Sequence, residues 1–66
     1  DMSEYIYMHE AINLLKSNGW TVESAEGTIG SLINKGTMCK WDYCIMKEAE
    51  VFAVHWVDLD NITEEV

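Results

Sequence analysis

An α+β fold, in which two helical segments precede a two-stranded antiparallel hairpin, is what this sequence predicts, and three observations carry the prediction. Apolar residues recur at helical spacing in two successive stretches, each running out at a glycine. From Met38 onward the apolar period drops to two, as on a pleated strand. The chain has 66 residues, 48% of them hydrophobic, with three Trp, three Tyr and one Phe. That describes one small domain, 1–66, near the size at which folding hides only ~60% of the surface an unfolded chain exposes. It is apolar enough to fill a modest core without a metal or disulfide staple.

The first stretch, YIYMHEAINLLKSNG, places Met8, Ala11, Ile12, Leu14 and Leu15 close to the i, i+3, i+4, i+7 template. Asn18-Gly19 offers it a left-handed C-terminal cap. Tyr5, Ile6 and Tyr7 fit either the start of that helix or a short strand ahead of it, because β-favouring residues sit beside a helical period. Trp20, after the stop, is expected to fold back onto the helix.

Thr21 is a good N-cap for the second stretch, in which Val22, Ala25, Ile29, Leu32 and Ile33 recur until Gly36. Gly27 and Gly30 interrupt it, each costing up to ~1 kcal/mol against Ala. The segment is therefore one weakened helix, or a turn followed by a helix from about Thr28 to Lys35. Beyond it, Cys39, Trp41, Tyr43 and Ile45 alternate with Lys40 and Asp42, and Phe52, Val54 and Trp56 alternate after a polar turn at Lys47-Glu48-Ala49-Glu50. A hairpin follows. Two strands alone are marginal in water, so the aromatic face is expected to lie against the helices. The acidic tail DLDNITEEV reads as a short closing helix or a frayed end.

Charge is the most informative property for function. Twelve Asp and Glu face four Lys, and Arg is missing, for a net charge of −8. Phosphate backbones are bound by neutralising them with Lys and Arg, and guanidinium suits phosphates and guanine edges best. Direct binding to nucleic acid or to an anionic membrane is therefore disfavoured, whereas basic surfaces attract such a chain through long-range steering.

The chemistry-bearing residue types do not assemble into a known reaction pattern. His9, His55, Cys39 and Cys44 are zinc-type ligands without a CxxC or HxxxH pair, so no metal and no cofactor is expected. Two cysteines five positions apart on a strand point to opposite faces, which suits free thiols in a reducing compartment better than a bridge. Asp58-Leu59-Asp60-Asn61 opens like a calcium loop, but Ile62 and Thr63 occupy positions where a ligand and a glycine are needed. Gly27-Thr28-Ile29-Gly30 lacks the lysine and preceding strand of a phosphate cradle, and no nucleophile elbow or Ser-His-Asp order occurs. No enzyme is expected. No apolar run approaches the ~20 residues of a membrane span and no charged-then-apolar leader occurs, so a cytoplasmic location is expected.

Taken in order, these residues resemble the winged helix-turn-helix of the phage excisionase and MerR-like group. YIYMHEAINLL is similar to that group's opening strand and E-A-x-x-L-L helix, and GTIGSLINKGTM to its recognition helix, which reads T-I-x-x-L-I-x-x-G. The hairpin then corresponds to the wing, and HWVDLDNI to the closing strand and the start of a last helix. The resemblance implies a winged-helix-like fold from Tyr5 to Ile62 and, for members that read DNA, cations on the recognition helix and wing. Here the sequence departs. The connector between Leu15 and Thr28 looks longer than the family's turn, and the outward positions of the second segment would be Ser24, Gly27, Ser31 and Asn34, with Glu23 and Glu26 near its start.

Two functional expectations follow. The first is an acidic protein-binding module resembling small phage-encoded inhibitors in size and charge: a DNA mimic that occupies the nucleic-acid site of a basic, DNA-binding host protein. Its contact residues would be Glu23, Glu26, Asp42, Glu48, Glu50, Asp58, Asp60, Glu64 and Glu65, standing in for phosphates if the fold gathers them on one side and forming an ordinary solvated surface if it spreads them evenly. The second is an excisionase-like DNA-binding regulator acting through Ser31, Asn34, Lys35, Lys40 and Lys47. Trp41, Tyr43, Phe52 and Trp56 are expected in the core, with pairing into a homodimer through an uncovered strand edge as the other use of the hairpin.

Overall fold

A computed structural model describes residues 2–64, with the side chains of residues 3–63. After a 3-10 turn at Met2–Glu4 come β1 (Tyr5–Tyr7), α1 (Met8–Ser17), α2 (Val22–Asn34), β2 (Cys39–Cys44), β3 (Ala49–His55) and α3 (Trp56–Glu64). The α+β class is as expected, but the sheet is not a two-stranded hairpin. Tyr5–Tyr7 form a strand, and the sheet has three antiparallel strands in the order β1-β3-β2. Ile6 pairs with Val54, which pairs on its other side with Cys39. The β-favouring Tyr-Ile-Tyr run wins over the helical period because β3 offers it a ladder.

One face of the sheet carries the core. Ile6 and Val54 meet Ala11 and Leu15 of α1, Ala25, Ile29 and Leu32 of α2, and Leu59 and Ile62 of α3 in a single buried cluster, against which Trp20 and Cys39 are partly packed. Of the two readings of the acidic tail, the closing helix holds as far as Glu64, because Leu59 and Ile62, three apart, both reach that cluster.

Both long helices end by the same local device. Gly19 at φ 95° and Gly36 at φ 76° sit in the left-handed region. Gly19 N–H donates to Lys16 O and Trp20 N–H to Leu15 O; Gly36 N–H donates to Ile33 O and Thr37 N–H to Leu32 O. These are the paired bonds of a Schellman motif, and the first returns Trp20 onto the core. Thr21 opens α2 with a reciprocal capping box: its hydroxyl accepts from Ser24 N–H at 3.0 Å while Ser24 Oγ accepts from Thr21 N–H at 3.1 Å.

Of the two readings of the second segment, the single helix holds: Gly27 and Gly30 do not break α2, which is continuous from Val22 to Asn34, and burial of Ala25, Ile29 and Leu32 offsets their propensity cost. Two expectations are corrected. The α1–α2 connector is only residues 18–21, because α2 begins at its Thr21 cap and not at Thr28. The hairpin turn occupies Ile45–Glu48, closed by Glu48 N–H to Ile45 O with Glu48 at φ 53°, so Ala49 and Glu50 already belong to β3.

The two kinds of glycine predict opposite responses to the same substitution. Nothing lies within 4 Å of a Cβ built at Gly19 or Gly27, so sterics with neighbours drop out and backbone conformation decides. Gly19→Ala should destabilise by about 1–2 kcal/mol, and Gly27→Ala should stabilise by up to about 1 kcal/mol. Urea denaturation midpoints of the two variants check the signs.

Candidate functional site

The outward side of α2 is set by its own period. With Ala25, Ile29 and Leu32 buried, Glu23, Ser24, Glu26, Gly27, Ser31 and Asn34 are exposed, as expected from the sequence. No cation occurs within Val22–Asn34. Lys35 follows as the exposed C-cap, and Ser31 Oγ turns back to donate to Gly27 O at 3.1 Å. What this face presents is two carboxylates near the positive end of the helix and small polar groups beyond them.

The four lysines stand on four different elements: Lys16 in α1, Lys35 at the end of α2, Lys40 in β2 and Lys47 in the hairpin turn. Lys40 is already engaged, its Nζ lying 4.4 Å from the centre of the Tyr5 ring. The carboxylates are also distributed. Glu23 and Glu26 belong to α2, Glu48 and Glu50 to the turn end of the hairpin, Asp42 to β2, and Asp58 and Asp60 to α3. The Glu64 side chain and Glu65 lie outside the described residues.

Facing away from the core, the sheet carries a layer that periodicity alone did not single out. Cross-strand pairing puts Tyr5 beside His55 and Tyr7 beside Ala53, with Lys40 and Asp42 on the same side of β2. The Tyr5 and His55 rings meet edge to face at 5.1 Å, and Tyr7 stacks on His9 of α1 at 5.6 Å. Tyr7 reaches across Ala53, which is fully buried, and its hydroxyl lies 3.1 Å from Asp42 Oδ2 and 3.2 Å from Tyr43 O. His55 Nδ1 accepts the N–H of Val57 at 3.1 Å and so caps α3, which fixes the imidazole in its Nε2–H form when neutral. The alternation Tyr5, Tyr7 in the sequence was the signal for this layer; it could be read only once Tyr5–Tyr7 was known to be a strand.

The hairpin's other face corrects the expectation of buried aromatics. Trp41 is 65% and Tyr43 55% exposed, and beyond them Ile45 and Met46 are almost bare. Phe52 meets Trp41 edge to face at 5.0 Å. Trp56 is not in a strand at all but begins α3. The hairpin outruns the helices, so its aromatic face has no core to enter.

In α3, Asp58 sits in the first turn, where its charge suits the helix dipole, and its Oδ2 is buried with no hydrogen-bond partner among the described residues. Asp60 borders a groove of about 440 Å³ with Leu14, Asn18, Trp20 and Thr63. Among the described residues no group of three or more His, Cys, Asp or Glu comes together as a metal site, and no helix is long and apolar enough to cross a membrane. Comparison of the chain with protein-family models, with curated proteins and with solved structures finds no match.

The Tyr7 phenol is raised above its ordinary 10.0, first by partial burial and then by the hydrogen bond and negative charge of Asp42, with Cys44 and Glu10 adding to it. A folded-state value above the unfolded one means that the neutral phenol favours folding. Its contribution is complete below pH 10 and is lost as pH climbs through the raised value. In an ultraviolet titration one tyrosine should ionise above the range of a free phenol, and Tyr7→Phe should remove that component. Asp42→Asn should move it down, but not fully back, because burial remains.

Proposed function

We propose that this chain is a non-enzymatic, winged-helix-like protein-binding module whose acidic surface engages a basic DNA-binding protein in place of nucleic acid. The observation that carries the proposal is the outward face of α2. α2 is the second long helix and precedes the hairpin, the position that the winged-helix resemblance assigns to a recognition helix, and it exposes Glu23 and Glu26 and holds no cation between Val22 and Asn34. A helix that met duplex DNA on that side would bring carboxylates against phosphates, and the ammonium groups that must neutralise them are lacking. The same carboxylates meet a basic partner favourably, and at long range they raise the encounter rate.

Spread over the hairpin, as Asp42, Glu48 and Glu50, and over α3, as Asp58 and Asp60, the remaining carboxylates make the chain's field negative over several sides. A partner that normally tracks a polyanion through a lysine- and arginine-lined groove is the complement of such a surface. Asn34 and Lys35, exposed at the end of α2, support the regulator reading only as one amide and one ammonium. That is too few contacts to hold a duplex near physiological salt.

Fluorescence anisotropy with a labelled duplex at about 150 mM salt tests the proposal. The chain alone should leave the duplex free, and it should displace the duplex from at least one member of a panel of basic DNA-binding proteins. Glu23→Lys with Glu26→Lys should raise the concentration needed for displacement by about tenfold, as expected for losing contacts of about 1.4 kcal/mol. Direct retention of the duplex by the chain, or failure to compete across the whole panel, would overturn the proposal.

A further inference from the structure

β2 is an edge strand, since the sheet order is β1-β3-β2, and its outer edge is defined by the ladder. His55 N–H donates to Met38 O at 3.3 Å, so Met38 and His55 are a hydrogen-bonded pair. Antiparallel pairs alternate, which directs the backbone groups of Lys40 and Asp42 inward to Ala53 and Val51, their partners on β3. The N–H and C=O groups of Cys39, Trp41 and Tyr43 therefore lie outside the ladder to β3; the Tyr43 carbonyl also accepts from the Tyr7 hydroxyl at 3.2 Å and has a second lone pair for a further donor.

We propose that this edge pairs antiparallel with the same edge of a second copy, centred on Trp41 opposite Trp41, and joins two three-stranded sheets into one of six strands. The sequence Cys39-Lys40-Trp41-Asp42-Tyr43 is self-complementary in charge about its centre. In the Trp41-centred register, Trp41 exchanges both backbone bonds with its counterpart and Cys39 does so with Tyr43 of the other copy. Lys40 then stands opposite Asp42 of the other copy in the non-hydrogen-bonded positions, where Cα atoms come within ~4.5 Å and side chains are closest. Symmetry gives that contact twice. A shift toward the start of the strand sets Lys40 against Lys40, and a shift toward its end sets Asp42 against Asp42. Charge thus selects one register among those the backbone allows.

The occupant is a second copy and not an unrelated strand because the complementarity is internal to this strand. Edge strands in monomeric proteins are commonly blunted by charged side chains, bulges, proline or a covering loop. This one has six residues and no proline, its two charges are of opposite sign and complement those of a second copy, and pairing would set the exposed Trp41 beside its counterpart and the exposed Tyr43 beside Cys39 of the other copy. Lys40 leans across β3 over Tyr5 of β1, and Asp42 accepts from Tyr7 of β1, so in the dimer the Lys40 ammonium exchanges the Tyr5 ring for Asp42 of the other copy. Each copy carries a net charge of −8, whose long-range repulsion is screened beyond ~8 Å near physiological salt. The inference stands apart from the proposed function, since oligomeric state says nothing about binding a basic protein.

Sedimentation equilibrium of the full chain at about 150 mM salt should give twice the chain mass. Lys40→Asp alone and Asp42→Lys alone should each raise the dimer dissociation constant by about tenfold or more. Mixing the two variants in equal amounts should restore the dimer, because each supplies the charges that the other lacks. Loss of an intramolecular contact cannot produce that restoration. In the wild-type chain, the outward amides of Trp41 and Tyr43 should exchange slowly with solvent at dimer-forming concentration and quickly on dilution. A wild-type chain that stays monomeric, a dimer indifferent to both variants, a mixture that does not recover, or amides that exchange quickly at every concentration would overturn the proposal.

Discussion

Pairing of Ile6 with Val54, and of Val54 with Cys39, ties the sheet to the helices, and the rest of the molecule is arranged around that row. Ile6 and Val54 are the strand residues that enter the buried cluster with α1, α2 and α3. β1 is only Tyr5–Tyr7, so it supports β3 at one end and no further. Past the row, the helix-facing side of the hairpin carries Trp41 opposite Phe52 and Tyr43 opposite Glu50, with Trp41 and Tyr43 more than half exposed. A chain this small has apolar material for one buried end of its sheet. Exposure of the hairpin aromatics follows from that limit.

Local chemistry then makes the helical side sturdier than its composition suggests. α2 contains two glycines, yet it is bounded by the Thr21–Ser24 capping box and by the left-handed Gly36. Burying Ala25, Ile29 and Leu32 contributes about 1.5–3 kcal/mol for each large side chain, more than the roughly 1 kcal/mol that each glycine costs. Gly19 does two things at once: it ends α1 and turns the chain so that Trp20 packs back on the core.

Two surfaces result, and they differ in kind. The outward side of α2 is acidic and small-featured, suited to long-range attraction of a basic protein. The edge of β2 is a row of backbone groups outside the ladder, of which the Tyr43 carbonyl accepts from the Tyr7 hydroxyl, flanked by Trp41 and Tyr43 and suited to short-range pairing. In the proposed dimer, the α2 faces of two copies lie on one joined sheet.

Much of the fold was legible in the residues, and the misses share one cause. The spacing of Ala11 and Leu15, then of Ala25, Ile29 and Leu32, determined both helices, because a 3.6-residue period needs nothing beyond the segment itself. Thr21, Gly19 and Gly36 set their ends for the same reason, and composition set the sign and size of the charge. Only the tertiary structure decided that Tyr5–Tyr7 is a strand, that Trp41 and Tyr43 stay in solvent, and that Tyr7 meets Asp42 across β3. Each of those depends on which segment lies alongside which, and three residues of alternating character carry too little local preference to choose a partner thirty-five or more positions away.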